Sequence, residues 1–304
     1  MKSFNMMTKE VGGYFGLELK SGKEFHSASI HLNTDRNCFE YLIKTIKSKK
    51  IFIPYFICDT MLERLKINKI NFEFYHIDNE LSPIVSSEIL KNNIFLYANY
   101  FGLKQNIVSN LSSKYTNLII DNSQAFFSPH IMGINTFYSA RKFFGVPDGA
   151  YLYKEKKKLI ILEEDHSLYR MKHLLIRLDS GVEKGYKAFK LIEKSFMNLP
   201  VRAMSKLIRA VLCSISYEKV QSVCRQNFLY LHKKLQNINK IWINISNLNA
   251  HMVYPFMTNT KRLKEKFIKN KIFLATYWLN VLKLVDEDQL EYKLVNKILP
   301  LTIY

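Results

Sequence analysis

The chain has 304 residues, 48% of them hydrophobic, and its 45 Lys and Arg against 26 Asp and Glu give a formal charge of +19. This size and apolar content exclude a lone small module and suit one large domain with a smaller one beside it. Such a charge raises nucleic acid or an anionic membrane as a partner, but the lysines are spread over the whole length, so neither is expected. The densest run, KEKKK at Lys154 to Lys158, follows a strand-like segment and reads as a solvated turn. Cys38, Cys58, Cys213 and Cys224 lie far apart with no CxxC pair, which signals neither a zinc site nor a disulfide framework, and no metal is expected. No apolar run approaches the roughly 20 residues that span a bilayer, and no leader pattern precedes the first element, so a cytoplasmic protein is expected.

Along the chain, short apolar runs alternate with helical patterns from about residue 30 to 155, the signature of a mostly parallel sheet with helices on its faces. The expected strands are Lys50 to Pro54, Ile70 to Ile77, Asn93 to Tyr100, Asn117 to Asp121, Asn135 to Ser139 and Gly149 to Lys154. Helix-like stretches lie between them at Cys38 to Lys49, Asp59 to Leu65 and Ile107 to Tyr115. In such a sheet the ligand site lies outside the carboxyl ends of the strands, so the polar residues closing them are the candidates. From Ser167 to Leu235 the pattern is one of successive amphipathic helices. A polar, Asn-rich stretch at Asn237 to Asn249 precedes a strand at His251 to Met257, then one helix, KRLKEKFIKN, and apolar segments ending LPLTIY. The expected division is a large α/β domain over residues 1–235 and a small C-terminal α+β domain over 236–304.

The chemistry-bearing stretch is IIDNSQAF (Ile119 to Phe126) followed by NTFYSARKFFGVPDGAYLY (Asn135 to Tyr153). Here Asp121 closes one strand, Ser139 and then Lys142 close the next, and a turn with Asp148 and Gly149 leads into a third. This order resembles the DegT-type nucleotide-sugar aminotransferases, a branch of the fold-type-I pyridoxal phosphate enzymes. IIDNSQA is similar to the family's VEDAAQA segment, and Lys142 is followed at the family's distance by Asp148, Gly149 and Ala150 in place of EGG. NYFG at Asn99 to Gly102, IPYF at Ile53 to Phe56 and NTDRNCF at Asn33 to Phe39 resemble three further family segments, and Arg202 to Leu235 looks like its later helices.

The resemblance implies a mixed, mostly parallel sheet sandwiched by helices, a pyridoxal phosphate cofactor, and transfer of an amino group from a donor to a keto-sugar nucleotide or related carbonyl compound in surface-polysaccharide or amino-sugar synthesis. It also implies a homodimer. It assigns Lys142 as the cofactor-linked lysine and Asp121 as the carboxylate facing the ring nitrogen, with Gln124 beside it. For the phosphate it offers Ser139 and the helix start at Asp35, Arg36 and Asn37; for stacking on the ring it offers Tyr55, Phe56 and Tyr100. Lys142 also separates the chain from the family's dehydratases, which carry histidine there.

These residue types suit that chemistry. The cofactor is an electron sink only while its ring nitrogen is protonated, which a carboxylate maintains. A lysine amine must be neutral to act, and burial beside a cation can provide that. A helix start favours an anion. The chain departs from the family in three places. Phe137 stands where the phosphate serine is usual, with Ser139 two residues on; Asp35 and Arg36 replace a Gly-Thr pair, so that Arg36 can pair with a phosphate and Asp35 repels it unless it points away; and the sequence ends at LPLTIY before the family's terminal helix, which implies either a reduced small domain or a truncated sequence. A catalytically altered homologue acting as a binding or partner subunit is the second reading.

Overall fold

A computed structural model describes residues 12–46, 50–155, 161–246, 248–260 and 262–304. Lys156 to Lys158 of the basic run, and the last three residues of the helix expected to reach Lys49, lie outside the described residues.

The first half builds the sheet. In chain order come β1 (Ile30–Leu32), α1 (Asp35–Thr45), β2 (Ile51–Pro54), α2 (Asp59–Ile67), β3 (Phe72–Ile77), β4 (Pro83–Ile84), α3 (Ser87–Asn92), β5 (Ile94–Ala98), α4 (Gln105–Lys114), β6 (Leu118–Asp121), β7 (Asn135–Ser139) and β8 (Ala150–Tyr153). They form one eight-stranded sheet in the order β1-β8-β7-β6-β5-β2-β3-β4. The five central strands run parallel, while β8, β1 and β4 turn the edges antiparallel. Every expected strand of this half is present, that at Asn135–Ser139 with the same bounds and the others shorter by one to three residues. The additional β1 and β4 are only three and two residues long, too short for alternation to reveal.

The helices α5 (Lys172–Ser180), α6 (Val182–Ser195), α7 (Lys206–Cys213) and α8 (Tyr217–Leu235) follow. After them come β9 (Val253–Met257), α9 (Leu263–Lys269), α10 (Leu290–Lys297) and β10 (Ile298–Thr302), with β9 and β10 pairing as a separate antiparallel ribbon.

Side-chain alternation assigns the two sheet faces. Ile119 of β6 and Phe137 of β7 join Phe39 and Leu42 of α1 and Met61 and Leu65 of α2 in one core. Leu118 and Ile120 face the other way, into a core shared with Val108 and Leu111 of α4 and with Met252, Val253, Val281, Leu294 and Ile298 from the end of the chain. A third core joins Tyr138 and Tyr151 to α7, α8 and the ribbon. No helix among the described residues is long and apolar enough to cross a membrane.

Candidate active site

The chain order reverses between β2 and β5: β3 lies on one side of β2, and the later parallel strands β5, β6 and β7 extend on the other. The carboxyl ends at this switch are where an α/β sheet binds its ligand. A three-residue 3-10 turn, Tyr100–Gly102, follows β5, and Phe101 there sits at φ 57°. The strain is held by Gln124, whose Oε1 accepts the Phe101 N–H at 2.8 Å, and by Gly102, where a Cβ would come within 3.0 Å of the Gln124 carbonyl. The Gln124 Oε1 is thus taken up in shaping the turn. Phe56, Tyr100 and Trp278 fill the switch itself, with Trp278 edge-on to Phe56 at 4.3 Å and 5.8 Å from Tyr100. Tyr55 turns away and stacks on Phe74 of β3 at 4.5 Å. The Tyr100 hydroxyl feels the charge of Asp121, is buried and has no partner.

Asp121 and Lys142 converge from adjacent strand ends. Asp121 closes β6 on the α1 face, where Oδ1 accepts the Ser123 N–H at 2.8 Å. Burial raises its carboxyl to about 6 against the hydrogen bonds from Ser123; Asp35 raises it further and Lys142 lowers it. Lys142 ends a 3-10 turn, Ala140–Lys142, directly after β7. Its charge acts on Asp121, Asp35 and Cys58 alike, so one small region holds two carboxylates, an amine and a thiol. Cys58 is a member of this group that sequence reasoning left without a role; nothing in its spacing pointed to Lys142.

The remaining candidates gather at the start of α1. Thr34 caps the helix, Asn37 is buried with its amide donating to Asn33 Oδ1 at 2.8 Å and to the Pro200 carbonyl at 2.8 Å, and Arg36 packs over the ring of Phe196. Burial works to raise the Asp35 carboxyl, yet Lys142, Arg36 and Arg141 around it hold it below the usual range. Ser139 is fully buried, and its Oγ has no partner. Asp148, at the turn into β8, is taken up by Arg170 at 2.5 Å and Ser167 at 3.0 Å.

Lys142 also opens onto a cleft of about 490 Å³ between its turn and the α5–α6 hairpin. Its walls carry Arg141, His173, Arg177, Tyr186 and Phe189, and no carboxylate side chain lines it. Arg177 lies on the exposed face of α5, as its helical setting suggested, and that face borders the cleft. Arg141 is ion-paired to Glu193.

A pyridoxal cofactor meets a mixed reception here. At the ring end the residues fit: a carboxylate whose burial is uncompensated needs a cation, and a lysine is at hand. At the phosphate end the unpartnered Ser139 hydroxyl fits and the Asp35 carboxylate does not.

The sheet order, the site at its carboxyl edge and the helices on both faces define a fold-type-I transferase fold. Among solved structures, the chain is similar to a DegT DnrJ EryC1 StrS aminotransferase from Brucella abortus, at 14% identity and a TM-score of 0.57 over 90% of this chain and 80% of that one. It is likewise similar to the sugar aminotransferase CalS13 from Micromonospora echinospora, at 10% identity and a TM-score of 0.60 over 91% and 83%. The GDP-4-keto-6-deoxy-D-mannose-3-dehydratase of E coli with bound hydrated PLP matches at 12% identity and a TM-score of 0.58 over 90% and 83%. At such identities the likeness establishes the fold. No family model and no curated protein sequence matches the chain.

Proposed function

We propose that the chain is a divergent DegT-type enzyme that binds a pyridoxal cofactor and moves an amino group onto a small carbonyl compound, a keto-sugar nucleotide being the expected class. The observation that carries this reading is the electrostatic reach between Asp121 and Lys142 at neighbouring strand ends. When bound, the cofactor supplies the electron sink. Asp121 would hold the proton on the ring nitrogen, and its raised affinity for a proton becomes useful once the neighbour is cationic. Lys142 would carry the cofactor and then move a proton to and from the substrate carbon as a free amine. Ser139 and Arg36 would hold the phosphate side, and Tyr100 would border the ring. The cleft beside Lys142 suits an anionic substrate, because Arg177 lines it and Glu193 at its edge is already paired with Arg141.

Incubation with pyridoxal phosphate is expected to give a yellow band, and borohydride should fix the cofactor on a peptide containing Lys142. Lys142→Ala should lose both, and a wild-type chain that stays colourless at saturating cofactor overturns the reading. Arg177→Ala is expected to raise KM for a nucleotide-linked substrate by roughly tenfold, as the loss of one charge-assisted contact implies, with kcat nearly unchanged.

A homodimer belongs to this reading, as does the division into residues 1–235 and 236–304. Apolar side chains of the hairpin support the dimer: Leu178 is 86% exposed and Leu191 61%. Sedimentation should give twice the 35.9 kDa of one chain. The second reading, a partner subunit that has lost catalysis, is favoured by one observation, the carboxylate at the start of α1.

A further inference from the structure

The start of α1 carries its own anion. Asp35 Oδ1 accepts the Arg36 N–H at 2.9 Å, and Thr34 Oγ1 accepts the Asn37 N–H at 3.2 Å. Two of the donors that a helix start offers to a bound anion are therefore taken by the chain itself. The cations nearest this carboxylate are Lys142, Arg36 and Arg141.

Ser139 faces the same place. Strands β1 and β7 are both antiparallel to β8, so they run parallel to each other, and α1 begins at the edge where β7 ends. Alternation puts Ser139 on the same side as Phe137, whose ring lies 6.3 Å from that of Phe39 in α1. From Phe39 back to Asp35 is about one helical turn, roughly 6 Å, and from Phe137 on to Ser139 is about 6.6 Å, so the serine comes level with the helix start. Its Oγ is completely buried and unpartnered. A buried donor without an acceptor is costly, and a hydroxyl aimed at a cationic helix start is a ready donor for an anion. The Ser139 hydroxyl and the start of α1 together offer donors to an anion, and Asp35 has put a fixed anion beside them.

We propose that Asp35 sets the cofactor specificity of the chain: its carboxylate opposes a phosphate ester at the start of α1, so that phosphorylated and unphosphorylated pyridoxal bind with similar affinity. This rests on the reading of Lys142 as the cofactor-linked lysine. Asp35 also lies within charge reach of Lys142 and Asp121, so its removal acts on both forms through them, while relief of repulsion on a phosphate adds for the phosphorylated form alone. Removing the charge while keeping a short polar side chain should therefore favour the phosphorylated form over the unphosphorylated one.

The test compares the wild-type chain with Asp35→Asn and Asp35→Ser. Affinities for pyridoxal phosphate and for pyridoxal are read from absorbance, and binding of inorganic phosphate from the shift in melting temperature. In the uncharged variants the affinity for pyridoxal phosphate relative to that for pyridoxal should rise about 10- to 100-fold, as relief of one to two charge contacts allows. Inorganic phosphate should stabilise the variants and leave the wild type unmoved, and adding Ser139→Ala to Asp35→Asn should reverse most of the gain. An unchanged or lower ratio in both variants, with no stabilisation by inorganic phosphate, overturns the proposal and makes Asp35 a local hydrogen-bond acceptor only. If no chromophore forms with any protein, the Lys142 reading fails, and the phosphate melts still decide the role of Asp35.

Discussion

Asp121 concentrates the tension of the site in one side chain. A carboxyl raised from 3.8 to about 6 binds a proton in the folded chain that the unfolded chain releases, so this residue lowers stability as pH rises from about 4 to 6. At neutral pH the cost reaches about 3 kcal/mol at 1.36 kcal/mol per unit. Asp121→Asn is therefore expected to raise the melting temperature of the cofactor-free protein by several degrees at pH 7.5 and by nothing at pH 3.5, and to weaken cofactor binding. Scanning calorimetry at the two pH values checks it. That Asp121 and Lys142 end neighbouring strands was legible from their order, since IIDNS closes one apolar run and Lys142 follows the next. The surroundings were not legible. Tyr55 and Phe56 are adjacent, yet one stacks on β3 and the other fills the switch, and only the path of the chain after β2 decides which goes where.

At the scale of elements, the turn after β5 and the turn into β8 do the positioning. Gln124→Ala removes the acceptor for the buried Phe101 N–H and should cost about 1–3 kcal/mol in urea unfolding. Gly149, at φ 103°, faces a Cβ contact of 2.9 Å with Ile208 of α7, so Gly149→Ala should be destabilising through both backbone and packing, by at least about 1 kcal/mol. The strands β2, β5 and β6 could be recognised in the sequence because each is a short apolar run buried on both faces, while β3 shows alternation. The direction of β8 could not, since its apolar run AYLY reads the same either way and only pairing with β7 and β1 fixes it. The hairpin was visible as two amphipathic stretches, while its place along one wall of the cleft depends on Gly185, where a Cβ would meet the His173 carbonyl at 3.0 Å.

Across the whole molecule, burial of histidine governs the response to acid. Burial lowers both His26 and His251 to about 4, so each is neutral in the folded chain at a pH where the unfolded chain binds a proton. Their contribution is complete above about pH 6.5 and is lost as pH falls towards 4, at about 3 kcal/mol each, which outweighs the opposite drift from Asp121. Urea midpoints should fall steeply between pH 6.5 and 4, and His251→Phe should flatten that slope.

The C-terminal segment contributes Val281, Leu294 and Ile298 to the core beneath the sheet, and with them it delivers Trp278 to the switch between β2 and β5. The sequence contains two tryptophans, and the other, Trp242, is 68% exposed. The indole lodged against Tyr100 is thus a built-in optical gauge. A coloured guest arriving beside Asp121 would drain its excited state by energy transfer, and emission lost from Trp278 alone would time the guest's arrival without any label.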